Sequence, residues 1–157
     1  MEKKTIRIEV INKTRSYAVN KRRIIELTKE LFRQTKTKED VYLSVAFIGE
    51  KEIRKLNKNY RGKDKATNVL SFSYEDDRLH SLSRIYEIII CLNLARKESL
   101  RDNNSFDDYV IFLIIHGFLH LIGYDHRIAK ERKKMEHIEE ELLLKTKIRG
   151  IVKREGF

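Results

Sequence analysis

Proline is absent from the chain, and cysteine occurs once, at Cys91. Without proline, the turns must be made with Gly, Asn, Asp and Ser. One cysteine excludes an internal disulfide framework and makes a reducing cytosol the simplest compartment. Cys91 lies in the apolar run Ile88-Ile89-Ile90-Cys91-Leu92 and reads as a buried small hydrophobe rather than a reactive thiol. No apolar run approaches the length of a transmembrane helix, so no membrane association is expected. Met1-Glu2-Lys3-Lys4-Thr5 leads into strand-like residues without a signal-peptide core, and a cytoplasmic location follows as an expectation.

What the chain does have suits one soluble domain over residues 1–157. Its length is 157 residues, with 41% hydrophobic and 37% charged residues, enough to bury a real core. The formal net charge of +10 is uneven. Residues 1–65 hold 19 Lys/Arg against 9 Asp/Glu, while residues 66–157 hold 15 of each. The positive field therefore belongs to the first part of the chain. It suits a polyanion such as nucleic acid, and equally a lysine-rich surface serving solubility.

Hydrophobic periodicity organises the rest. Residues 4–11 alternate as a strand. Asn20 can cap a helix over about 21–35. A second strand covers 41–48, a short helix about 50–58, a third strand 67–73 and a fourth 85–91, with a polar loop at 74–83. A helix begins near Asn93 and breaks at Asp102-Asn103-Asn104-Ser105. Residues 106–122 are apolar on nearly all sides and should form a central, buried helix. Residues 128–147 form a charged amphipathic helix with Met135, Ile138, Leu142 and Leu143 inward. The expected class is α+β, with about four strands and about five helices.

The central helix carries the chemistry. His116, His120 and His126 fall at H-x₃-H-x₅-H, with Gly123 between the second and third. A helical residue advances about 100°, so His116 and His120 differ by roughly 40° and share one face. His126 would lie roughly 240° away if the helix continued. The chain must fold back, and Gly123 can adopt the positive φ this needs. Three neutral imidazoles leave a fourth tetrahedral position open on a divalent ion, where a bound water made acidic can act as nucleophile. The competing reading is two core histidines and one surface histidine.

The spacing is that of the zinc-peptidase motif H-E-x-x-H-x-x-G-x-x-H, but the glutamate position is Gly117. The peptidase base is missing, which argues for a substrate needing a different helper. A phosphodiester is one, since a guanidinium can hold its phosphoryl oxygens in a bidentate way. Arg61, within Leu56-Asn57-Lys58-Asn59-Tyr60-Arg61-Gly62-Lys63-Asp64-Lys65, is the candidate for that role and reads equally as a surface arginine, with Lys63 and Lys65 as further cations of the segment. The histidine segment lacks the clustered carboxylates of a two-magnesium nuclease, so one metal is preferred.

These segments together, Leu56-Asn57, Tyr60-Arg61, Asp64, Thr67-Asn68-Val69-Leu70-Ser71-Phe72 and His116 through His126, resemble the YbeY family of bacterial metal-dependent endoribonucleases. The resemblance implies a single α+β domain with a mixed sheet and one zinc ion per chain on His116, His120 and His126. It implies cleavage of single-stranded RNA, with Arg61 matching the family's functional arginine. The implied setting is ribosome biogenesis, with the 3′ end of small-subunit rRNA as target and the small subunit or ribosome as partner. The chain departs from the family pattern at Ala66 (usually Pro), Asn68 (usually Asp) and Tyr86-Glu87 (often Gly-Asp). Asn68 and Glu87 are expected to alter charge near the cleft.

Other residues take plainer readings. Asp125 either orients a histidine from behind or caps a turn. Ser71 is expected to line the cleft without acting as a nucleophile. Tyr124 is expected to cover the turn, His80 and His137 to be solvated, and Glu139-Glu140-Glu141 to form an exposed helix face. Two rival functions remain: a non-catalytic ribosome-assembly factor with a structural zinc, and a metallopeptidase, which Gly117 and the charge disfavour.

Overall fold

Strand alternation sorts side chains onto two faces of one sheet, and each face collects its own helices. The computed structural model describes residues 4–35, 37, 39–75, 83–124, 127–148 and 151. Strands β1 (Ile6–Asn12), β2 (Asp40–Ile48), β3 (Val69–Glu75) and β4 (Ser83–Cys91) lie in the order β1-β2-β4-β3. The first, second and fourth are parallel, and β3 runs antiparallel to β4 at the edge. Among the described residues there are five helices: α1 (Lys21–Gln34), α2 (Glu50–Arg61), α3 (Leu92–Arg101), α4 (Phe106–Leu121) and α5 (Ala129–Lys145). The expected α+β class and mixed sheet are both observed.

One face carries Val10, Leu43, Val45, Phe47, Tyr86 and Ile88 into the main core with α1, α4 and α5. Asn20 caps α1 as its position suggested, its side chain accepting from the Arg23 N–H at 3.0 Å. Phe32 of α1 stacks on Tyr86 and meets Phe118 of α4 edge-on, at 6.3 and 5.1 Å between ring centroids. Every residue of α4 from Tyr109 to Leu119 is buried. That is why its sequence is apolar all round: sheet, α3 and α5 surround it.

The opposite face buries Ile48, Leu70 and Cys91 beneath Ile53 of α2. Cys91 is fully buried, and burial pushes its thiol pKa up, so it behaves as a core residue. Thus α2 and α4 lie on opposite sides of the sheet, with edge strand β3 common to both. Boundaries differ from the sequence reading in two useful places. Helix α2 continues to Arg61 rather than ending near 58, and Tyr74 belongs to β3 rather than to a loop. His80 lies outside the described residues.

Candidate metal and phosphodiester site

His116 and His120 face one another on α4, their Nε2 atoms 3.1 Å apart and their rings 77° to each other. What stands behind each ring fixes its tautomer. The Nδ1 of His120 is 3.0 Å from the Tyr124 carbonyl oxygen, which can only accept, so this nitrogen carries hydrogen. The Nδ1 of His116 is 3.0 Å from Glu139 Oε2, and an ionised carboxylate likewise only accepts. Both Nε2 lone pairs therefore point at one place, where a shared cation is the stable arrangement. Two nitrogens about 2.0–2.1 Å from a tetrahedral zinc would lie about 3.3 Å apart, close to the observed spacing. The donor set fits such an ion.

The turn after α4 follows the glycine argument. Gly123 has φ 104°, and the Tyr124 N–H donates to the Leu119 carbonyl at 3.1 Å, so the chain folds back. His126 and Asp125, the third candidate ligand and its neighbour, lie outside the described residues. Among the described residues no group of three or more His, Cys, Asp or Glu could hold a metal. The described part of the site is the histidine pair with Glu139 and the Tyr124 carbonyl behind it.

Glu139 corrects the expectation of an exposed face. It is buried, while Glu140 and Glu141 are exposed. The sequence carried a signal for this. Residue 139 sits four after Met135 and three and four before Leu142 and Leu143, on the buried stripe of α5. A carboxylate on an apolar stripe requires a partner, and here it is a histidine 23 residues earlier in the chain. His137 behaves as expected: it is exposed beside Glu141. Tyr124 packs partly buried on the core.

Gly117 has a packing reason. A Cβ there would stand 2.8 Å from Ser71 Oγ, 3.2 Å from Ile88 Cγ2 and 3.3 Å from Val69 Cγ2. Helix α4 lies so close to β3 and β4 at Gly117 that a glutamate has no room there. Ser71 does not act on substrate atoms in this arrangement: its hydroxyl donates to the Gly117 carbonyl at 3.0 Å and ties β3 to the histidine helix.

Arg61, Lys63 and Lys65 are exposed, at the end of α2 and in the loop after it. Asn57 holds that loop. Its side-chain N–H donates to the Lys65 carbonyl at 2.8 Å, and its own carbonyl takes the Lys63 N–H at 3.4 Å. Arg54 and Lys58 pair with Asp64, and the Arg54 hydrogen bond holds the Asp64 carboxyl below its usual range. Arg61 makes no ion pair or hydrogen bond among the described residues, and the structure does not bring it into contact with the histidines.

The family model described as "Endoribonuclease YbeY" matches residues 9–147. The chain belongs to the YbeY family. An Endoribonuclease YbeY of Staphylococcus carnosus is 39% identical over 108 residues, covering 66% of this chain and 71% of that protein. One from Thermoanaerobacter sp. is 37% identical over 144 residues, covering 83% and 91%. A solution structure of a Thermotoga maritima protein superposes with a TM-score of 0.55 at 25% identity, covering 94% of this chain and 99% of that one.

Two departures from the YbeY pattern acquire local explanations. The Asn68 amide donates to Glu98 Oε2 at 2.9 Å, and the buried Tyr109 hydroxyl donates to the same oxygen at 2.8 Å. Burial, then the Glu98 hydrogen bond, push the Tyr109 pKa up, so it remains a donor. An aspartate at 68 would present a carboxylate to Glu98 instead of an N–H. Glu87 corrects the second expectation. It lies on the sheet face opposite α4, beside Tyr74, and not with the histidines. Its neighbour Tyr86 fills the main core. Ala66 is partly buried against the smaller core cluster.

Proposed function

We propose that this member of the endoribonuclease YbeY family cleaves single-stranded RNA at a one-zinc site formed by His116, His120 and His126. The observation that carries the proposal is the convergence of two Nε2 lone pairs, each locked from behind by an acceptor on its Nδ1. An ion held there supplies Lewis acidity to a phosphodiester. The chain's own groups do the rest. Glu139 and the Tyr124 carbonyl orient the imidazoles. Gly117 and Ser71 keep the histidine helix close to β3. Arg61 binds phosphoryl oxygens and stabilises charge that develops on them, with Lys63 and Lys65 as further RNA contacts. Asp125 stands next to His126 in sequence and supports it.

Residues 1–157 act as one domain. The physiological role is cytoplasmic rRNA maturation at the small-subunit 3′ end, with a function in ribosome quality control and the ribosome or its small subunit as partner. Nucleophile identity is a separate outcome: attack by the ribose 2′-OH leaves a cyclic phosphate, and attack by water does not.

The test is cleavage of unstructured RNA together with metal analysis. Wild type should cut and carry one ion per chain, His120→Ala should lose both, and Arg61→Ala should keep the metal while losing cleavage. Cleavage surviving both substitutions would overturn the catalytic assignment. A metal-loaded protein that assembles with ribosomal particles but never cuts RNA would favour the assembly-factor reading.

A further inference from the structure

Helix α2 closes over one end of its sheet face, where Ile53 meets Ile48, Leu70 and Cys91. Toward the other end aromatic rings reach the surface. Register places Tyr42, Ile85 and Tyr74 in one row across β2, β4 and β3, and Ser44, Glu87 and Phe72 in the next. Tyr42 is 36% exposed and Tyr74 41%, and Tyr60, in the last turn of α2, is 63% exposed. Three of these rings form a line. Tyr60 and Phe72 have centroids 5.1 Å apart, and Phe72 stacks on Tyr74 at 6.4 Å and 23°. None of this is used by the histidine site.

Charge beside the line is strongly positive. Residues 51–65 carry Lys51, Arg54, Lys55, Lys58, Arg61, Lys63 and Lys65 against only Glu52 and Asp64. Asp64 is taken by Arg54 and Lys58, which leaves Lys51, Lys55, Arg61, Lys63 and Lys65 outside any ion pair among the described residues. On the sheet itself carboxylates sit among the rings: Tyr74 donates to Glu87 at 3.3 Å, and Tyr42, level with Arg7 of β1, donates to Glu9. Beside Tyr74 a base can stack and offer its N–H groups to the Glu87 carboxylate. Burial and Glu87 raise the Tyr74 pKa, so its ring stays neutral. Rings flanked by a cationic track are what a single strand uses, with bases on aromatics and backbone on cations. A continuous route also exists. Successive residues of β3 point to opposite faces, so Phe72 borders this surface while Ser71 touches Gly117 on the histidine helix.

We propose that Tyr60, Phe72 and Tyr74 form a stacking platform for bases of the RNA strand, which then passes round edge strand β3 to the histidine pair. The cations at the end of α2 hold its phosphates. The proposal rests on the endoribonuclease reading and adds a binding surface on the opposite face of the sheet.

The test measures binding apart from cleavage, on full-length protein stripped of metal. A fluorescent unstructured oligoribonucleotide and one carrying 2-aminopurine serve as probes. Stacking of about 1–3 kcal/mol per base predicts that Tyr60→Ala and Tyr74→Ala each raise Kd about 5- to 150-fold and relieve 2-aminopurine quenching. Tyr60→Trp should retain affinity, and Tyr60→Leu should not, since it restores apolar area but no π face. Both alanine variants binding as wild type does, while wild type still cuts RNA, would overturn the platform alone and leave the face to a protein partner. Equal loss in Tyr60→Trp and Tyr60→Leu would also overturn stacking. A wild type that neither binds nor cuts RNA would overturn the platform and the function together.

Discussion

Replacing Glu139 with alanine removes the carboxylate that reaches His116 from behind. In wild type the two atoms are 3.0 Å apart, and side-chain exposure is 8% for the histidine and 3% for the glutamate. Two losses follow. The buried Nδ1–H of His116 is left without this acceptor, which costs about 1–3 kcal/mol of stability. The ring also loses the partner that fixes its tautomer, and losses of that kind reduce metal affinity about 10- to 100-fold, or roughly 1.4–2.7 kcal/mol. Zinc affinity by chelator competition, with thermal melting of the metal-free protein beside it, separates the two. Glu139→Gln should fall between wild type and alanine in affinity, because its amide oxygen can still accept while the charge is gone. Glu140→Ala is the control, one residue along the same helix and exposed. Equal zinc affinity in Glu139→Ala and Glu140→Ala would refute the positioning role.

Gly117→Ala should lower stability by about 1–3 kcal/mol, because its Cβ would overlap Ser71 Oγ. At this chain length that is a Tm drop of roughly 2–12 °C. Gly117→Glu, which restores the peptidase pattern, should not give a folded protein with peptidase activity. Asn68→Asp should lower Tm by setting a carboxylate against Glu98, and Glu98→Gln in the same chain should recover most of the loss. An uncompensated double mutant would show that the pair is not the cause. RNA affinity should fall linearly on a log–log plot against salt; a flat plot would contradict cationic phosphate contacts.

The histidine pair was legible because i, i+4 spacing needs only helix geometry, and Gly123 was legible because only a backbone reversal could bring in a later ligand. Strand and helix order was also legible, since alternation and the fully apolar run over α4 follow directly from burial. Glu139 was obscured by its acidic neighbours, although its place on the apolar stripe of α5 marked it. Gly117 read as a missing base. Its cause, the close approach of β3 and β4, is a tertiary distance that no local pattern encodes. Glu87 faces away from the histidine helix because its neighbour Tyr86 fills the main core, and which face α4 would take is not written in the strand itself. An alternation pattern fixes which residues share a face, not which helices will cover it.

The proposed site requires that His116 and His120 offer Nε2, not Nδ1, to one cation. Imidazole ¹⁵N NMR during titration with zinc measures this directly. Metal binding should shift both Nε2 resonances to ligand values while both Nδ1 atoms keep their protons. Coordination through either Nδ1, or unchanged Nε2 resonances at saturating zinc, would contradict it.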